Sequence, residues 1–517
     1  TILACLINLI LFSIVSVFCY PIYNSGDDAY LSYLSGGGFG QAPTELLHYH
    51  YGLHPYIGLL LKKLAVWMPG INWYSALLYI FHFTAATVIL TQLLKRNSLR
   101  IALAWYALLF CTTEVLFLLQ PTFTNAALVT AIAGSILVYR SIHLSGWLLI
   151  ILAAMLRLHM LIPALFIATP FFLSIITRKN MLRLLIDAAA VAMLITAFLS
   201  LQERYYQKYI PGWQQEEQYR QTIIGHVNTP RRSPAYLPQQ QRFTAELLQN
   251  GNYWDKQLLS PAVINHLTAT MKLQGAWQQE DFKGRVYWLL VDNRLLFLAL
   301  AFLLWWRFPL LPRRERLATI SAVLAFILFT SLLLLFFKLP GYIVPAGVLE
   351  LAAFAGILPA AQSNTSRLRK WLLMVAGALI LSWAMVRIYK LNRWNIQHNK
   401  QWKCAYQLIS SDSSKLFVVA DDRFPLDYFH VWNVPAQFKL PNLLYKDHFL
   451  NNTHGPIFQR FGIRSTREMA DKENVFFTGE QSESVLRFFG SGTNNVLYAP
   501  TTGRDCIQRW QIKSLFR

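Results

Sequence analysis

Two adjacent carboxylates, Asp27 and Asp28, follow an apolar run from Thr1 to Tyr20 that is long enough to cross a bilayer. A carboxylate at a membrane-facing cavity can act as a general base, taking a proton from a hydroxyl nucleophile. Its neighbour can orient it, bind a metal ion, or raise its pKa through like-charge repulsion. Adjacent residues point about 100° apart on a helix, so one of the pair faces a cavity squarely. The competing reading is a solvated pair that caps a helix starting at Ala29.

Cations that could answer such a pair are few. Arg157 stands in an otherwise apolar stretch, Ala153 to Met160. A charge there faces a partner or a cavity, or snorkels to the interface, and a guanidinium can grip a phosphate with two hydrogen bonds. Lys338, in the turn Phe337-Lys338-Leu339-Pro340-Gly341-Tyr342, could hold a phosphate or snorkel. Arg231 and Arg232 read as solvated. His48, His50 and His54 lie among tyrosines, and the i, i+4 spacing of His50 and His54 suits one helix face. No Cys or second metal-spacing motif accompanies them, so interfacial anchoring or substrate contact competes with metal binding. Tyr30 and Tyr342 are further candidates for substrate contact.

The elements that must position these residues are membrane helices. The chain has 517 residues, 55% hydrophobic and only 14% charged, against about a quarter charged in soluble domains. Apolar runs predict about eleven transmembrane helices, near 1–20, 73–94, 101–119, 123–140, 146–157, 159–177, 182–202, 286–306, 317–337, 342–361 and 371–391. Thr1 to Tyr20 lacks the basic start and small-residue cleavage site of a signal peptide. The +21 net charge is read as loop bias and contact with anionic membrane lipid, not nucleic acid. Lys95, Arg96 and Arg100, then Arg178, Lys179 and Arg183, then Arg307 to Arg316, then Arg367 to Lys370 all fall on one side of these spans. The positive-inside rule makes that side cytoplasmic. The outer loops 21–72 and 203–285 and everything from 392 onward are then extracytoplasmic.

Within the first outer loop, His54 to Met68 reads as an amphipathic interfacial helix, and Gly36 to Gly40 as a break. In the second, Ser260 caps a helix running to Met271, with Pro261 in its first turn. Residues 392–517 form a small α/β domain with a buried strand over Lys415–Ala420 ending at Asp421-Asp422, and another over Asn495–Tyr498. Turn chemistry accounts for that second acidic pair. Cys5, Cys19 and Cys111 lie in spans. Cys404 and Cys506 flank the domain and would pair in an oxidising compartment. Phosphate-binding Gly-Lys-Ser/Thr loops, Gly-x-Ser-x-Gly turns and His-Glu-x-x-His motifs do not occur.

On Gly26-Asp27-Asp28-Ala29-Tyr30 after the first span, Gln120-Pro121-Thr122-Phe123-Thr124, Arg157 and the Lys338–Tyr342 turn, the chain resembles the GT-C superfamily of polytopic membrane glycosyltransferases. The likeness in layout covers about residues 1–391. The acidic pair is similar to the Asp-Glu-Ala pattern of the protein O-mannosyltransferase and aminoarabinose transferase branch, with Asp28 where that pattern has Glu. The resemblance implies an inverting transfer of a sugar from a polyprenyl-phosphate donor to the hydroxyl of a glycan, lipid or protein acceptor. Asp27 would be the base and Asp28 a supporting carboxylate. Arg157 and Lys338 would stabilise the departing phosphate. No cofactor is required, and a divalent metal ion is compatible. It implies a bacterial inner-membrane enzyme with its site facing the periplasm. A transporter or flippase, or a polymerase, of lipid-linked glycans is the other reading. Inverted repeats and paired broken helices would favour transport, and neither is visible.

Overall fold

A computed structural model of the chain describes residues 1–23, 25–47, 53–141, 144–176, 178–227, 237–249, 253–256, 258–270, 281–337, 339–359, 367–419, 428–450, 452–478, 488–489, 494–498 and 509–514. His48, His50, Arg231, Arg232, Lys338, Asp421, Asp422 and Cys506 lie outside the described residues.

The molecule is a polytopic helical membrane protein carrying a small sheet. Its helices run α1 Ile2–Phe18, α2 Gly26–Gly36, α3 Pro55–Trp67, α4 Trp73–Arg96, α5 Leu99–Leu109, α6 Val115–Leu119, α7 Phe123–Ser141, α8 Leu144–Arg157, α9 Leu161–Ile175, α10 Arg178–Tyr209, α11 Trp213–Val227, α12 Gln239–Gln249, α13 Pro261–Thr270, α14 Asp281–Arg307, α15 Arg313–Phe336, α16 Ile343–Ile357 and α17 Arg367–Ser410. Among the described residues, seven helical stretches are long and apolar enough to span a membrane, and α1, α16 and Phe123–Tyr139 are shorter apolar helices. One of the seven, Leu144–Ile175, is broken at Arg157, whose extended backbone (φ −162°, ψ 100°) separates α8 from α9.

Hydrogen bonds sort the helix ends into two layers. At one end, Asn97 after α4 donates to Gly356 O of α16 at 2.9 Å. Arg307, closing α14, donates to Leu358 O at 2.5 Å, and Arg314 of α15 reaches Leu173 O near the end of α9 at 3.5 Å. At the other end, the start of α7 and the end of α8 meet α2. The helices α8 and α9 therefore run in opposite directions. Of the first and third basic loops read from the sequence, Arg96, Arg307 and Arg314 share the first end, opposite Asp27 and Asp28. A carbonyl layer left open by helix ends gathers there, and guanidinium and amide donors satisfy it.

The outer loop follows its sequence pattern closely. Helix α3 begins one residue after His54 and ends at Trp67, and Lys62 pairs with Glu45 at 2.6 Å. Gly37, at φ +82°, closes α2 in the left-handed region, which glycine enters without penalty. Helix α13 starts at Pro261, with Val263 N donating to Ser260 Oγ at 3.5 Å. The boundary read at residue 391 falls inside a helix, because α17 runs unbroken from Arg367 to Ser410. Its polar second half, from Asn392 onward, keeps helical spacing and leaves the membrane as one rod with the first half.

The C-terminal region carries β1 Leu416–Val419, β2 Leu443–Leu444, β3 Val475–Thr478, β4 Asn494–Tyr498 and β5 Arg509–Ser514, with short helices α18 Lys446–Leu450 and α19 Gly455–Phe461. The sheet order is β2-β1-β3-β5-β4. Strand β1 pairs in parallel with β2 and β3, and β5 pairs antiparallel with β3 and β4. Strand β1 is buried throughout, as a central strand covered on both faces must be. Cys5, Cys19 and Cys111 are free thiols, and Cys404 is half of a disulfide.

Helices α7 and α8 touch backbone to backbone at two glycines. A Cβ on Gly134 would stand 2.8 Å from Gly146 O, and one on Gly146 would stand 2.8 Å from Gly134 O. Small residues permit this approach where apolar lipid supplies no force between helices. Gly134→Val is expected to destabilise the bundle by about 1–3 kcal/mol or more, as overpacking does, with the matching fall in thermal midpoint in detergent. An unchanged midpoint would mean that the two helices do not close at these positions.

Candidate functional site

The site is built where three chain segments converge on α2. Ser25 caps that helix in an extended conformation, and its Oγ accepts from Asp28 N at 3.4 Å. The helix therefore starts at Gly26, not Ala29, and the acidic pair occupies its first turn as N2 and N3. This Ser-x-x-acidic spacing is that of a capping box, and the positive pole of a helix N-terminus favours both carboxylates. The expectation that the pair itself caps the helix is corrected: Ser25 does that.

Asp28 is fully buried. Its Oδ1 accepts from the Tyr74 hydroxyl of α4 at 2.7 Å and from Phe123 N, the first amide of α7, at 2.7 Å. Its Oδ2 accepts from Ser25 Oγ at 2.7 Å. Burial pushes its carboxyl up to about 7; the Ser25, Tyr74 and Phe123 hydrogen bonds pull the other way, and the Asp27 charge adds to the rise. Three donors aimed at one group make Asp28 a fixed acceptor with little capacity left for a substrate proton. Asp27, one residue earlier and turned away, is partly exposed. The roughly 100° between successive helical residues thus splits the pair into a buried anchor and an accessible carboxylate.

Arg157 lies beside this knot. Its Nη1 donates to Thr124 Oγ1, and its guanidinium sits over the Phe123 ring, 5.0 Å from the centroid. Its Nε is buried without a hydrogen-bond partner among the described residues. Tyr342, at the start of α16, feels both Arg157 and Asp27 electrostatically. The structure therefore brings Asp27, Asp28, Arg157 and Tyr342 together. The Gln120–Thr124 turn is the junction: Phe123 gives its amide to Asp28 and Thr124 its hydroxyl to Arg157.

Other sequence candidates are placed elsewhere. Tyr30 is fully buried, and its hydroxyl meets Thr453 Oγ1 at 2.6 Å, so it docks α2 onto the C-terminal region. His54 caps α3, with Nδ1 accepting from Tyr56 N at 3.3 Å and Nε2 facing Phe198 O at 3.0 Å. Burial lowers its pKa, which keeps it neutral. Among the described residues no group of three or more His, Cys, Asp or Glu gathers as a metal site would need.

Several functional-looking groups escaped the sequence reading. Tyr74 reads as an ordinary interfacial aromatic, yet it holds Asp28. Asn72 caps α4 and donates to Tyr23 Oη at 3.2 Å and Val431 O at 2.8 Å, and Ser75 Oγ also reaches Val431 O, at 2.6 Å. The C-terminal region thus closes the back of the acidic pair. Deeper in the bundle, the π-helical turn Phe110–Glu114 sets Glu114 Oε1 2.8 Å from His82 Nδ1, both buried. Polar residues inside apolar runs were the available signal for these.

No protein-family model, curated protein or solved structure matches this chain.

Substitutions at Asp28 separate its charge from its hydrogen bonds. Asparagine keeps Oδ1 for Tyr74 and Phe123 and turns its amide toward the Ser25 oxygen. Alanine strands a buried hydroxyl and a buried amide, at about 1–3 kcal/mol each. Asp28→Ala is expected to lower the thermal midpoint in detergent well below that of Asp28→Asn. The folded carboxyl is raised from 3.8 to about 7, so its stabilising proton is fully present below about pH 4 and is lost as pH rises through 7. The wild-type midpoint should fall across that window relative to Asp28→Asn; parallel pH profiles would show that Asp28 is not buried.

Proposed function

We propose that the chain is an inverting glycosyltransferase that moves a sugar from a polyprenyl-phosphate donor to an acceptor hydroxyl on the extracytoplasmic side of the membrane. The observation that carries this reading is the division of the acidic pair: Asp27 accessible, Asp28 locked, with Tyr342 within electrostatic reach of both Asp27 and Arg157. Asp27 takes the proton of the acceptor hydroxyl as its oxygen bonds to the anomeric carbon. The bond from that carbon to the phosphate oxygen breaks on the opposite face, and polyprenyl phosphate departs with the electron pair. A phosphate leaves without a proton donor, so what it needs is positive charge. Arg157, with an unsatisfied Nε, supports that role, and Lys338 is proposed beside it.

The resemblance of Gly26-Asp27-Asp28-Ala29-Tyr30 and the Gln120–Thr124 turn to the GT-C layout supports the same assignment. So does the count of crossings. Taking α8 and α9 as two, the apolar helices make eleven; with the basic loops taken as cytoplasmic by the positive-inside rule, the proposal puts α2, the 203–285 loop and the C-terminal region outside. The compartment proposed is the periplasmic face of a bacterial inner membrane, with membrane lipids as surroundings.

The test is transfer in detergent from polyprenyl-phosphate sugars. Asp27→Asn is expected to lower the rate by about 10²-fold or more, the usual scale for a lost general base. Asp28→Asn should reduce it less while leaving the fold intact. Undiminished transfer by both variants would remove the mechanism, and a loss confined to Asp28→Asn would exchange the two roles.

A further inference from the structure

A cavity of about 640 Å³ opens next to Tyr342, lined among others by Gln120, Asn125, Asp292, Arg387 and Lys390. It lies between the Gln120–Thr124 turn, α14, α16 and α17. Its depth relative to the membrane is fixed by α17. Two turns beyond Arg387, Asn395 donates to Tyr20 O at 2.8 Å and to Leu119 O at 3.1 Å, the points at which α1 and α6 end. Arg387 and Lys390 therefore sit at the outer rim of the bundle, one helical turn apart.

The polar groups of this cavity are not used up by one another. Nη1 of the half-buried Arg387 is buried without a hydrogen-bond partner among the described residues, as is Oδ1 of Asn125, itself 2% exposed. Asp292 acts on Arg387 electrostatically but is exposed at the mouth, and no ion pair joins them among the described residues. Lys390 is exposed. From the opening toward the Arg307 end of the bundle, Leu298 on α14 and Leu379, Met385 and Val386 on α17 are exposed large hydrophobics. The two helices are tied by Arg294 over the Trp383 ring, 5.2 Å from its centroid. Two cations and neutral amides, with one carboxylate, Asp292, exposed at the mouth and apolar helix faces below, match a ligand with an anionic head and hydrocarbon tails.

We infer that this cavity binds the phosphate headgroup of a membrane-resident lipid, with Arg387 and Lys390 as its cations and the lipid chains lying along α14 and α17. Arg387 offers a planar fork to two phosphate oxygens, and Lys390 a point charge beside it. Asn125 Oδ1 can accept from a headgroup or sugar hydroxyl, and the Gln120 amide and the Tyr342 hydroxyl can donate to the remaining ester oxygens. Arg157 does not line this cavity; it donates to Thr124 and sits over the Phe123 ring. The inference stands without the glycosyl-transfer reading; Tyr342 lines this cavity and also feels Arg157 and Asp27 electrostatically.

The test is lipid binding by native mass spectrometry and thermal shift, using the full chain in detergent with farnesyl phosphate, dioleoyl phosphatidic acid, farnesol and inorganic phosphate. Farnesyl phosphate or phosphatidic acid should bind, and Arg387→Gln should weaken binding about tenfold or more, as loss of a charged hydrogen bond does. Arg387→Lys should fall between, and Lys390→Gln, at an exposed position, should weaken binding with an unchanged lipid-free midpoint. Preference for farnesyl phosphate identifies the carrier as the occupant; preference for phosphatidic acid identifies a diacyl lipid. Equal binding by farnesol or inorganic phosphate, or no loss in both Arg387→Gln and Lys390→Gln, would overturn the site. A chain that binds lipid through Arg387 yet transfers no sugar keeps the site and loses the glycosyl-transfer reading. A chain that transfers sugar while both variants bind normally does the reverse.

Discussion

A carboxylate buried to zero exposure is tolerable only if every oxygen is answered, and Asp28 is answered by three different parts of the chain. Ser25 belongs to the cap of α2, Tyr74 to the first turn of α4, and the Phe123 amide to the first turn of α7. Remove the carboxylate and three segments lose their common point. The α7 N-terminus is the most telling partner, since its amides have no acceptors of their own and its dipole favours an anion there. The C-terminal region then seals the back of the knot through Val431, whose carbonyl takes hydrogen bonds from Asn72 and Ser75. No water can replace these groups without reopening several contacts at once.

The direction of Asp27 follows from that knot. With Asp28 fixed inward, helical geometry turns its neighbour by about 100°, toward the side that carries Arg157 and Tyr342. The pair is therefore a buried anchor and a partly exposed carboxylate made from two chemically identical side chains, and the difference is imposed by burial and hydrogen bonding. Arg157 is prepared in the same manner. Its break of the α8–α9 helix leaves the side chain at the rim, Thr124 and Phe123 orient it, and one nitrogen stays unsatisfied. The short turn Gln120–Thr124 touches both Asp28, through the Phe123 amide, and Arg157, through the Thr124 hydroxyl.

Much of this was legible in the sequence for simple reasons. Apolar runs with basic ends mark helices, and α4, α15 and α3 fall within a few residues of where hydropathy puts them. Pro261 after Ser260 marks a helix start, and Leu416–Val419 has the unbroken apolar character of a strand covered on both faces. The acidic pair stood out because it interrupts an apolar context. What stayed hidden depends on contacts between segments far apart in the chain. Nothing local distinguishes Tyr74 from the protein's other tyrosines, or shows that Tyr30 faces Thr453, more than four hundred residues away. The 391 boundary failed because hydropathy detects where lipid ends, and helix α17 does not end there. Arg387 and Lys390 were passed over because charges near the close of a span look like ordinary rim residues until a cavity is seen in front of them.

Helix α17 joins the two sites mechanically. Within a few turns it presents Arg387 and Lys390 to the cavity, clamps the Tyr20 backbone with Asn392 and Asn395, and continues into the C-terminal region as far as Ser410. Tyr20 ends the apolar run that leads directly to Ser25 and the acidic pair. The linker between them, Pro21 to Tyr23, is held on its other side by that same C-terminal region, with Val431 N donating to Pro21 O at 3.1 Å. A rigid rod with contacts at the lipid rim, at the base of the acidic helix and in the outer sheet cannot shift at one of these places alone. The C-terminal region, the cationic cavity and the segment leading to Asp27 are thus all in contact with this one helix or its partners. The C-terminal sheet follows directly on the end of this helix at Ser410, and not on a long tether, because β1 begins at Leu416.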